Sequence, residues 1–295
     1  MSDLGPTDQL GTTGVWSAAL RYGDAAAARE SAAELESLGY GALWIPDVGG
    51  DLFGAIENLL SATLTATVAT GILNLWMHEP EETAARYQEF VSSFGERLML
   101  GIGVSHAPLA NMLKEGQYKK PLARTSEYLD RLDEADPPVP VRYRMLAALG
   151  PKMLELARGR TTGSHPYLVT PEHTARVRDA LGTNSLVAPE QAVVLETDSE
   201  RARFLARTHL AGYLNLPNYS NNWKRIGFTD DDLYDGGSNR LVDALVAWGD
   251  EEAILDRVQQ HRDAGADHVC VQVLTEDLLI PATEELRRLA PALIN

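Results

Sequence analysis

The sequence predicts a (β/α)8 barrel, the TIM-barrel fold, within a single domain that spans residues 1–295. Strand-like and helix-like segments alternate along the chain, and eight strand candidates can be placed in it. Several candidates are uninterrupted apolar runs, which are typical of a parallel sheet that is buried on both faces. The tract around Gly39 also echoes the tract around Gly265: each is a helix end, a glycine and then a strand. Such an echo is expected when one type of connection is reused around a barrel.

Four of the strands are predicted in the first half of the chain. Asp24 is a suitable N-cap for an alanine-rich helix that ends at Gly39, a typical residue after a helix. A second helix is expected over residues 52–66, and a third begins at Pro80 and ends at Gly95. The strands in this half are predicted at residues 14–17, 41–46, 68–75 and 98–103.

The second half of the chain has shorter and more widely spaced strands. A long stretch before the last strand, residues 197–266, contains a middle that is rich in Asn, Tyr and Trp at 213–223. Because long connections in compact domains are usually lids or interfaces, we expect an insertion region between strands seven and eight. A doubly wound sheet would usually have a Gly-x-Gly-x-x-Gly turn after its first strand, which this chain lacks there. The strands in this half are predicted at residues 144–148, 165–169, 191–195 and 268–273, and helical segments of the insertion at 200–209 and 240–248.

The charge balance argues against two classes of partner. With 26 basic and 42 acidic residues, the formal net charge is −16, which is unsuited to a nucleic-acid-binding surface or to an anionic membrane surface. No run approaches the ~18 apolar residues of a membrane span. The first residues lack the basic flank and the apolar segment of a secretory signal. We therefore expect a cytoplasmic protein that acts on a small molecule.

The sequence gives no sign of a metal site. The single cysteine, Cys270, cannot form an intrachain disulfide or a thiolate cluster, and we expect it to be a small buried apolar residue. The acidic run at residues 229–232 is interpreted as a helix cap and a turn, with a metal site as the alternative. No His-Glu-x-x-His or Gly-x-Ser-x-Gly pattern occurs, so zinc hydrolysis and α/β-hydrolase chemistry lack support.

Candidate site residues gather where three consecutive strands end. In barrels, ligands bind at the carboxyl ends of the strands. Small residues there let a flat ring lie close to the backbone. A need for tight turns would explain any one of these small residues alone. Their occurrence on consecutive strands favours a planar cofactor. The residues are Asp47 after strand two, Ile72 and Asn74 at the end of strand three, and Gly103, Ser105 and His106 after strand four.

A turn after the fifth strand is a candidate anion site. Gly150 and Pro151 connect this strand to a helix, and a proline in the first turn leaves N–H groups of that turn free to bind a phosphate or another anion. A plain strand-to-helix turn is the alternative interpretation. Three histidines near strand ends, His78, His106 and His165, are further candidates for the site.

The chain resembles the luciferase-like monooxygenase superfamily, and within it the F420-dependent oxidoreductase subgroup that is typical of actinobacteria. The likeness runs from Gly14 to Val273. Its most specific tracts are residues 146–157, 165–174 and 216–219, and residues 243–250 add to them.

This resemblance implies a barrel that holds coenzyme F420, or alternatively FMN, at the carboxyl ends of its strands. It implies a non-proline cis peptide between Gly71 and Ile72, which would press on the central ring of the cofactor and expose one face for hydride transfer. Relatives are commonly dimers, so a homodimer is expected. The resemblance places Asp47 and Asn74 beside the ring, Gly103, Ser105 and His106 in the lining, the backbone of Ala148, Leu149 and Gly150 at the phosphate, and His165 and Tyr167 among the cofactor-binding residues.

Two positions depart from the sugar-phosphate dehydrogenases of this superfamily. Val48 stands where those enzymes have a histidine, and His106 stands where they have a carboxylate. A sugar phosphate is therefore not the expected substrate. We nominate His106 as the catalytic proton donor or acceptor, because imidazole titrates near neutral pH.

The leading functional hypothesis is an oxidoreductase that transfers a hydride between coenzyme F420 and a small organic substrate. An FMN-dependent monooxygenase is the alternative within the same class. A barrel that binds its cofactor without catalysis is an alternative from another class. A phosphate-handling lyase or isomerase is a further alternative, since fold alone does not fix chemistry.

Overall fold

The fold consists of one parallel β-sheet that curls into a half-barrel, with helices packed against it. It is known from a computed structural model that describes residues 10–294. Every strand pair in the sheet is parallel, as the apolar runs predict. The strands are β1 (Thr13–Trp16), β2 (Ala42–Ile45), β3 (Thr67–Thr70), β4 (Leu73–Asn74), β5 (Leu98–Gly103), β6 (Arg144–Leu146), β7 (Gly163–Ser164), β8 (Leu186–Val187), β9 (Glu190–Val194), β10 (Val246–Trp248) and β11 (Val269–Val273).

The order of the strands follows the chain along most of the sheet. From β1 the path runs through β2, β3, β5, β6 and β7 to β8. In the other direction β1 pairs with β11, β11 pairs with β9, and β10 lies beyond β9. Only Ala188 and Pro189 separate β8 from β9. β8, at one end of this path, and β9, the strand next to the other end, therefore lie on one continuous segment of chain.

Helices connect the strands on their outer side. The larger ones are α2 (Ala25–Ser37), α3 (Leu52–Ala62), α4 (Pro80–Phe94), α6 (Pro121–Glu134), α7 (Pro151–Arg160), α8 (Pro171–Leu181), α9 (Ser199–Leu210), α10 (Pro217–Arg225), α13 (Glu251–Asp263) and α14 (Thr283–Leu293). The short ones are α1 (Ala19–Tyr22), α5 (Ala107–Leu113), α11 (Asp230–Leu233) and α12 (Asn239–Leu245), together with a 3-10 turn at Val141–Tyr143.

Local capping signals begin and end several helices as the sequence predicts. Asp24 Oδ1 accepts hydrogen bonds from the backbone N–H groups of Ala26 at 3.0 Å and Ala27 at 2.9 Å. Beyond the end of the same helix, Gly39 has a φ of +97°, a conformation that favours glycine. Thr229 and Asp232 form a reciprocal capping box at the start of α11, so the acidic run is a helix cap.

Three elements differ from the sequence prediction. The sixth strand is β7, just before the predicted residues 165–169; it lies so close to β8 that a β-carbon on Gly163 would be 1.8 Å from the carbonyl oxygen of Leu186. The helix predicted over 240–248 stops at Leu245, because the residues after it pair with β9 as β10. Within residues 10–294 the sheet has eleven strands where eight are predicted, since the predicted third strand divides into β3 and β4, and β8 and β10 are additional.

The interior of the sheet is filled by a hydrogen-bonded aromatic cluster. Trp44 is completely buried, and its Nε1 donates a hydrogen bond to His268 Nε2 at 3.1 Å. His268 Nδ1 in turn donates to the carbonyl oxygen of Gly11 at 2.8 Å, which leaves its Nε2 as an acceptor. The Trp44 ring stacks on His165, with 4.2 Å between the ring centroids. Cys270 is buried nearby as a free thiol.

The segment between β9 and β11 forms its own apolar cluster beside the sheet. Trp223 of α10 and Leu241 of α12 are completely buried there. Trp223 Nε1 donates to the carbonyl oxygen of Leu168 at 3.0 Å, which ties α10 to the segment after β7. Most of the Asn, Tyr and Trp residues of 213–223 therefore lie in a packed helix, which Tyr213 and Asn215 precede. No helix within residues 10–294 is long and apolar enough to cross a membrane.

Candidate functional site

A cavity of about 380 Å³ lies at the carboxyl ends of the strands. Its walls come from the segments after β2, β3, β5, β6 and β7, and its roof comes from residues 213–225. This volume is within the usual range for small-molecule sites, roughly 300–1,000 Å³. Nine of the predicted site residues line it: Asp47, Gly71, Ile72, Ser105, His106, Leu149, Gly150, His165 and Tyr167. The other three, Asn74, Gly103 and Ala148, are buried behind this lining.

The floor of the cavity is formed by Gly71 and Ile72, and the peptide bond between them is cis. Trp16 Nε1 donates to the carbonyl oxygen of Gly71 at 3.2 Å, and a β-carbon on Gly71 would lie 2.5 Å from that nitrogen. A β-carbon on Gly103 would lie 2.9 Å from Ile72 Cγ1. Glycine at both positions lets the Ile72 side chain and the indole of Trp16 pack closely at the floor of the cavity.

Asp47 is held at the edge of this floor. Its side chain is completely buried, and Oδ2 accepts a hydrogen bond from Asn74 N at 3.0 Å and lies 2.9 Å from His78 Nε2. Asn74 Oδ1 accepts a hydrogen bond from Trp76 N at 3.1 Å. Asn74 thus orients Asp47 through its backbone, and His78, one of the histidines that follow strands, is the second partner of the carboxylate.

His106 also lines the cavity, at the point where the chain turns into α5. Ser105 has a φ of +50°, which is uncommon outside glycine and clusters at functional sites. His106 Nδ1 lies 3.1 Å from Asn218 Nδ2, and an amide nitrogen can only donate, so the imidazole proton belongs on Nε2. Burial lowers the pKa of His106 below its usual 6.5, so the ring is neutral near pH 7. Neutral imidazole with a free Nε2–H can donate or relay a proton.

The roof of the cavity is an aromatic cluster in a fixed hydrogen-bond network. Tyr167 donates its hydroxyl proton to Gln272 Oε1 at 2.8 Å, and its oxygen lies 3.2 Å from His209 Nε2. Tyr213 packs edge-on against Tyr219, with 5.2 Å between centroids. Burial raises the pKa of Tyr167 well above 10, so this hydroxyl stays protonated. The roof therefore offers aromatic faces and neutral polar groups to a ligand.

His165 adds a hydrogen-bond acceptor to the wall. Its Nδ1 donates to the carbonyl oxygen of Ala188 at 2.7 Å, and burial lowers its pKa to about 4. Its Nε2 is buried and has no partner among residues 10–294. Because the ring is neutral with its proton on Nδ1, that Nε2 carries a lone pair and is an unused hydrogen-bond acceptor.

The start of α7 closes the far end of the cavity. Gly150 is its N-cap residue, Pro151 occupies the first turn, and no side chain caps the helix within the described part of the chain. Arg225 of α10 reaches over this point: its Nη1 lies 3.9 Å from the position a β-carbon on Gly150 would occupy. A helix start beneath a guanidinium is suited to a phosphate group. The geometry thus fits the predicted anion site.

Sequence reasoning missed three residues of this region: Asn218, Arg225 and Glu190. Asn218 and Arg225 lie on α10, and the concentration of polar and aromatic residues in 213–223 was the available signal. Glu190 begins β9 and is completely buried; its signal is an acidic residue at the head of an apolar strand. Burial raises the pKa of Glu190 to about 8.

Comparison with solved structures shows the same fold across nearly whole chains. An F420-dependent secondary alcohol dehydrogenase, in complex with an F420–acetone adduct, is 14% identical, with 96% of this chain and 98% of that chain covered and a TM-score of 0.72. The coenzyme F420-dependent tetrahydromethanopterin reductase from Methanopyrus kandleri is 14% identical, with coverages of 96% and 99% and a TM-score of 0.76. The oxygenating constituent of 3,6-diketocamphane monooxygenase from Pseudomonas putida, in complex with FMN, is 16% identical, with coverages of 96% and 98% and a TM-score of 0.66.

The family is decided by sequence. No curated protein matches the chain. The luciferase-like monooxygenase family matches residues 8–268, which is most of the chain. The chain therefore belongs to the luciferase-like monooxygenase family.

Proposed function

We propose that the protein is an oxidoreductase that transfers a hydride between coenzyme F420 and a small organic substrate. The observation that carries the proposal is the cavity at the strand ends, which has Ile72 at its floor, an aromatic roof and a helix start with an arginine at one end. A tricyclic ring with a phosphate on its side chain matches that shape. We also infer that the sheet closes into an eight-stranded barrel, with β3–β4 and β8–β9 counted as one strand each and β10 within the insertion.

The residues present fit such a cofactor. Ile72 would support the ring, and Asp47 and His165 would face its polar edge. Gly150 and Arg225 would hold the phosphate. The bound deazaflavin supplies a carbon centre that gives or accepts a hydride. The ring would rest on the apolar side chain of Ile72, so no charged side chain is needed beneath it.

The side chains of the protein orient the reactants and manage the proton that accompanies hydride transfer. His106 lines the same cavity as Ile72, and in this proposal it would contact a substrate bound above the ring. When a carbonyl group is reduced, its oxygen needs a proton, and His106 Nε2–H is positioned to supply it. Asn218 keeps the imidazole in that tautomer. Tyr213 and Tyr219 cover this region and limit the access of water.

Filling the cavity should abolish cofactor binding. Ala147 lies in the cavity wall, and we expect Ala147→Trp to raise the Kd for F420 at least about thirtyfold, since an indole would occupy the volume of the ring. The measurement is a fluorescence titration with F420 and, separately, with FMN. The matched control is Ala26→Trp on an exposed helix surface, which should keep the Kd of the wild type.

The same titration decides between the alternatives. Binding of FMN but not F420 would favour a flavin-dependent monooxygenase. Binding of F420 without turnover of any substrate in a broad screen would favour a barrel that only binds its cofactor. Wild-type affinity in Ala147→Trp would show that the ring does not occupy this cavity.

Removing His106 should affect turnover far more than binding. We expect His106→Ala to lower kcat by about 100-fold or more, the usual range for a lost proton donor, while the Kd for F420 changes by less than about threefold. Asn218→Ala should lower kcat by a smaller factor, because it leaves the imidazole but frees its orientation. The readout is the change in F420 absorbance with an alcohol or carbonyl substrate found by screening. Unchanged turnover in His106→Ala would remove His106 from the mechanism.

A cytoplasmic homodimer stays a prediction. Size-exclusion chromatography with light scattering would test the dimer.

A further inference from the structure

A second cavity, of about 370 Å³, lies next to the first. It is bounded by α7, α8 and α10, and it shares Leu149 and Arg225 with the wall of the first cavity. The cofactor assignment above uses only the first cavity.

The second cavity carries an excess of positive charge. Arg158, Arg176 and Arg225 line it, against a single acidic residue, Glu155. None of the three arginines forms an ion pair with another residue in the 10–294 range. The chain as a whole has a net charge of −16, whereas the three unpaired guanidinium groups make this cavity locally positive. Arg176 Nη1 donates to the carbonyl oxygen of Arg225 at 2.9 Å, which fixes one of them in place.

Two buried side chains add unpartnered polar groups to the same cavity. Asn222 is only 1% exposed and His173 only 3%. Asn222 Nδ2 and His173 Nε2 are both buried without a hydrogen-bond partner among the described residues. Buried polar groups are nearly always hydrogen-bonded, and an amide nitrogen can only donate. A hydrogen-bond acceptor bound in the cavity would therefore satisfy Asn222 Nδ2, and His173 Nε2 can donate a second hydrogen bond.

The helices around the cavity favour negative charge as well. α7 and α8 both begin beside it, and His173 lies in the first turn of α8. Helix starts carry partial positive charge, and their free N–H groups bind carboxylates and phosphates. The donor set is thus made of guanidinium groups, an amide, an imidazole and helix starts, and it is suited to oxyanions.

The two cavities meet at the phosphate position. Arg225 lies over Gly150 and lines both cavities. If a ligand placed its ring in the first cavity and its phosphate at Gly150, any part of it beyond the phosphate would extend into the second cavity. FMN ends at its phosphate, whereas F420 continues beyond its phosphate into a chain of glutamate carboxylates.

We propose that the second cavity is a carboxylate subsite that receives the glutamate chain of F420. The proposal rests on the proposed function for the identity of the ligand. Arg158 and Arg176 would bind carboxylates of the chain, with Asn222 as a neutral donor. This subsite would give the protein a preference for the deazaflavin cofactor over FMN that the ring cavity alone does not supply.

The test compares two phosphate-bearing forms of the cofactor on the full-length protein. We expect F420 with its glutamates to bind about fivefold more tightly than the form from which the glutamates have been removed, which corresponds to about 1 kcal/mol for two partly exposed charge pairs. The double variant Arg158→Gln/Arg176→Gln should remove that preference and leave the Kd of the glutamate-free form within about twofold. The control, Arg201→Gln/Arg288→Gln, changes the net charge equally at exposed positions away from the cavity and should keep the preference.

A second titration, with a γ-linked triglutamate peptide alone, separates this proposal from the proposed function. Binding of the peptide to the wild type, and its loss in Arg158→Gln/Arg176→Gln, supports the subsite even if F420 itself fails to bind. Equal Kd values for the two F420 forms, together with no binding of the peptide, overturn the subsite while F420 binding leaves the proposed function intact.

Discussion

Mild acid should unfold this protein cooperatively, with most of its stability lost between about pH 6.5 and pH 4. Burial lowers the pKa of five histidines: to about 4 for His165, His173, His209 and His268, and to about 3 for His261. Each is neutral in the fold and accepts a proton on unfolding, where its pKa returns to about 6.5. Stability from these groups is therefore complete above pH 6.5 and is lost as the pH falls towards the folded-state pKa values.

The size of the effect follows from the number of groups. A shift of one pKa unit corresponds to about 1.4 kcal/mol, so five such histidines together amount to on the order of 10 kcal/mol. That is comparable to the whole stability of a typical domain. Guanidinium unfolding followed by circular dichroism at pH 7.5, 6 and 5 measures the loss. Equal stability at pH 7.5 and pH 5 would contradict the prediction.

A single substitution provides the control. His268 accepts a hydrogen bond from Trp44 and donates one to Gly11, and glutamine can make both types of bond without titrating. We expect His268→Gln to cost some packing at pH 7.5 but to reduce the additional loss at pH 5. The change in pH dependence, rather than the stability at either pH, is the informative quantity.

The parts of the fold that could be predicted are those specified by neighbouring residues. The strand Leu98–Gly103 and the helix capped by Asp24 were predicted because an apolar run or a cap is visible in a few consecutive residues. β7 has two residues, and its place is set by the close approach of Gly163 to Leu186, a contact between distant parts of the sequence. β10 likewise depends on pairing with β9, so local helix propensity gave the wrong assignment there.

The candidate site likewise has parts that could be predicted from the sequence and parts that could not. Residues at the strand ends could be predicted to converge because parallel strands bring their carboxyl ends to one rim. The sequence could not show that Asn74 lies behind Asp47, since that depends on which side of the strand end faces the cavity. Nor could it place Arg225 over Gly150, because the position of α10 is fixed by the burial of Trp223 against the segment after β7. The roof and the second cavity are therefore products of tertiary packing.

The buried carboxyl group of Glu190 should make the protein less stable as the pH rises. Its Oε2 accepts a hydrogen bond from Leu168 N at 3.0 Å, whereas its Oε1 is buried without a partner among residues 10–294. Burial raises its pKa to about 8, above its usual 4.5. Stability from this group is complete below pH 4.5 and is lost as the pH rises towards 8, the opposite direction to that of the histidines.

Glu190→Gln isolates this effect because glutamine keeps the acceptor for Leu168 N and cannot ionise. We expect its stability advantage over the wild type to grow by roughly 3 kcal/mol between pH 6 and pH 9, since about two pKa units lie between pH 6 and the folded-state pKa. Denaturant unfolding at both pH values measures it, with Glu57→Gln on an exposed helix surface as the control. An unchanged difference between the two pH values would mean that Glu190 is already ionised at pH 6 and that the surrounding structure compensates its charge.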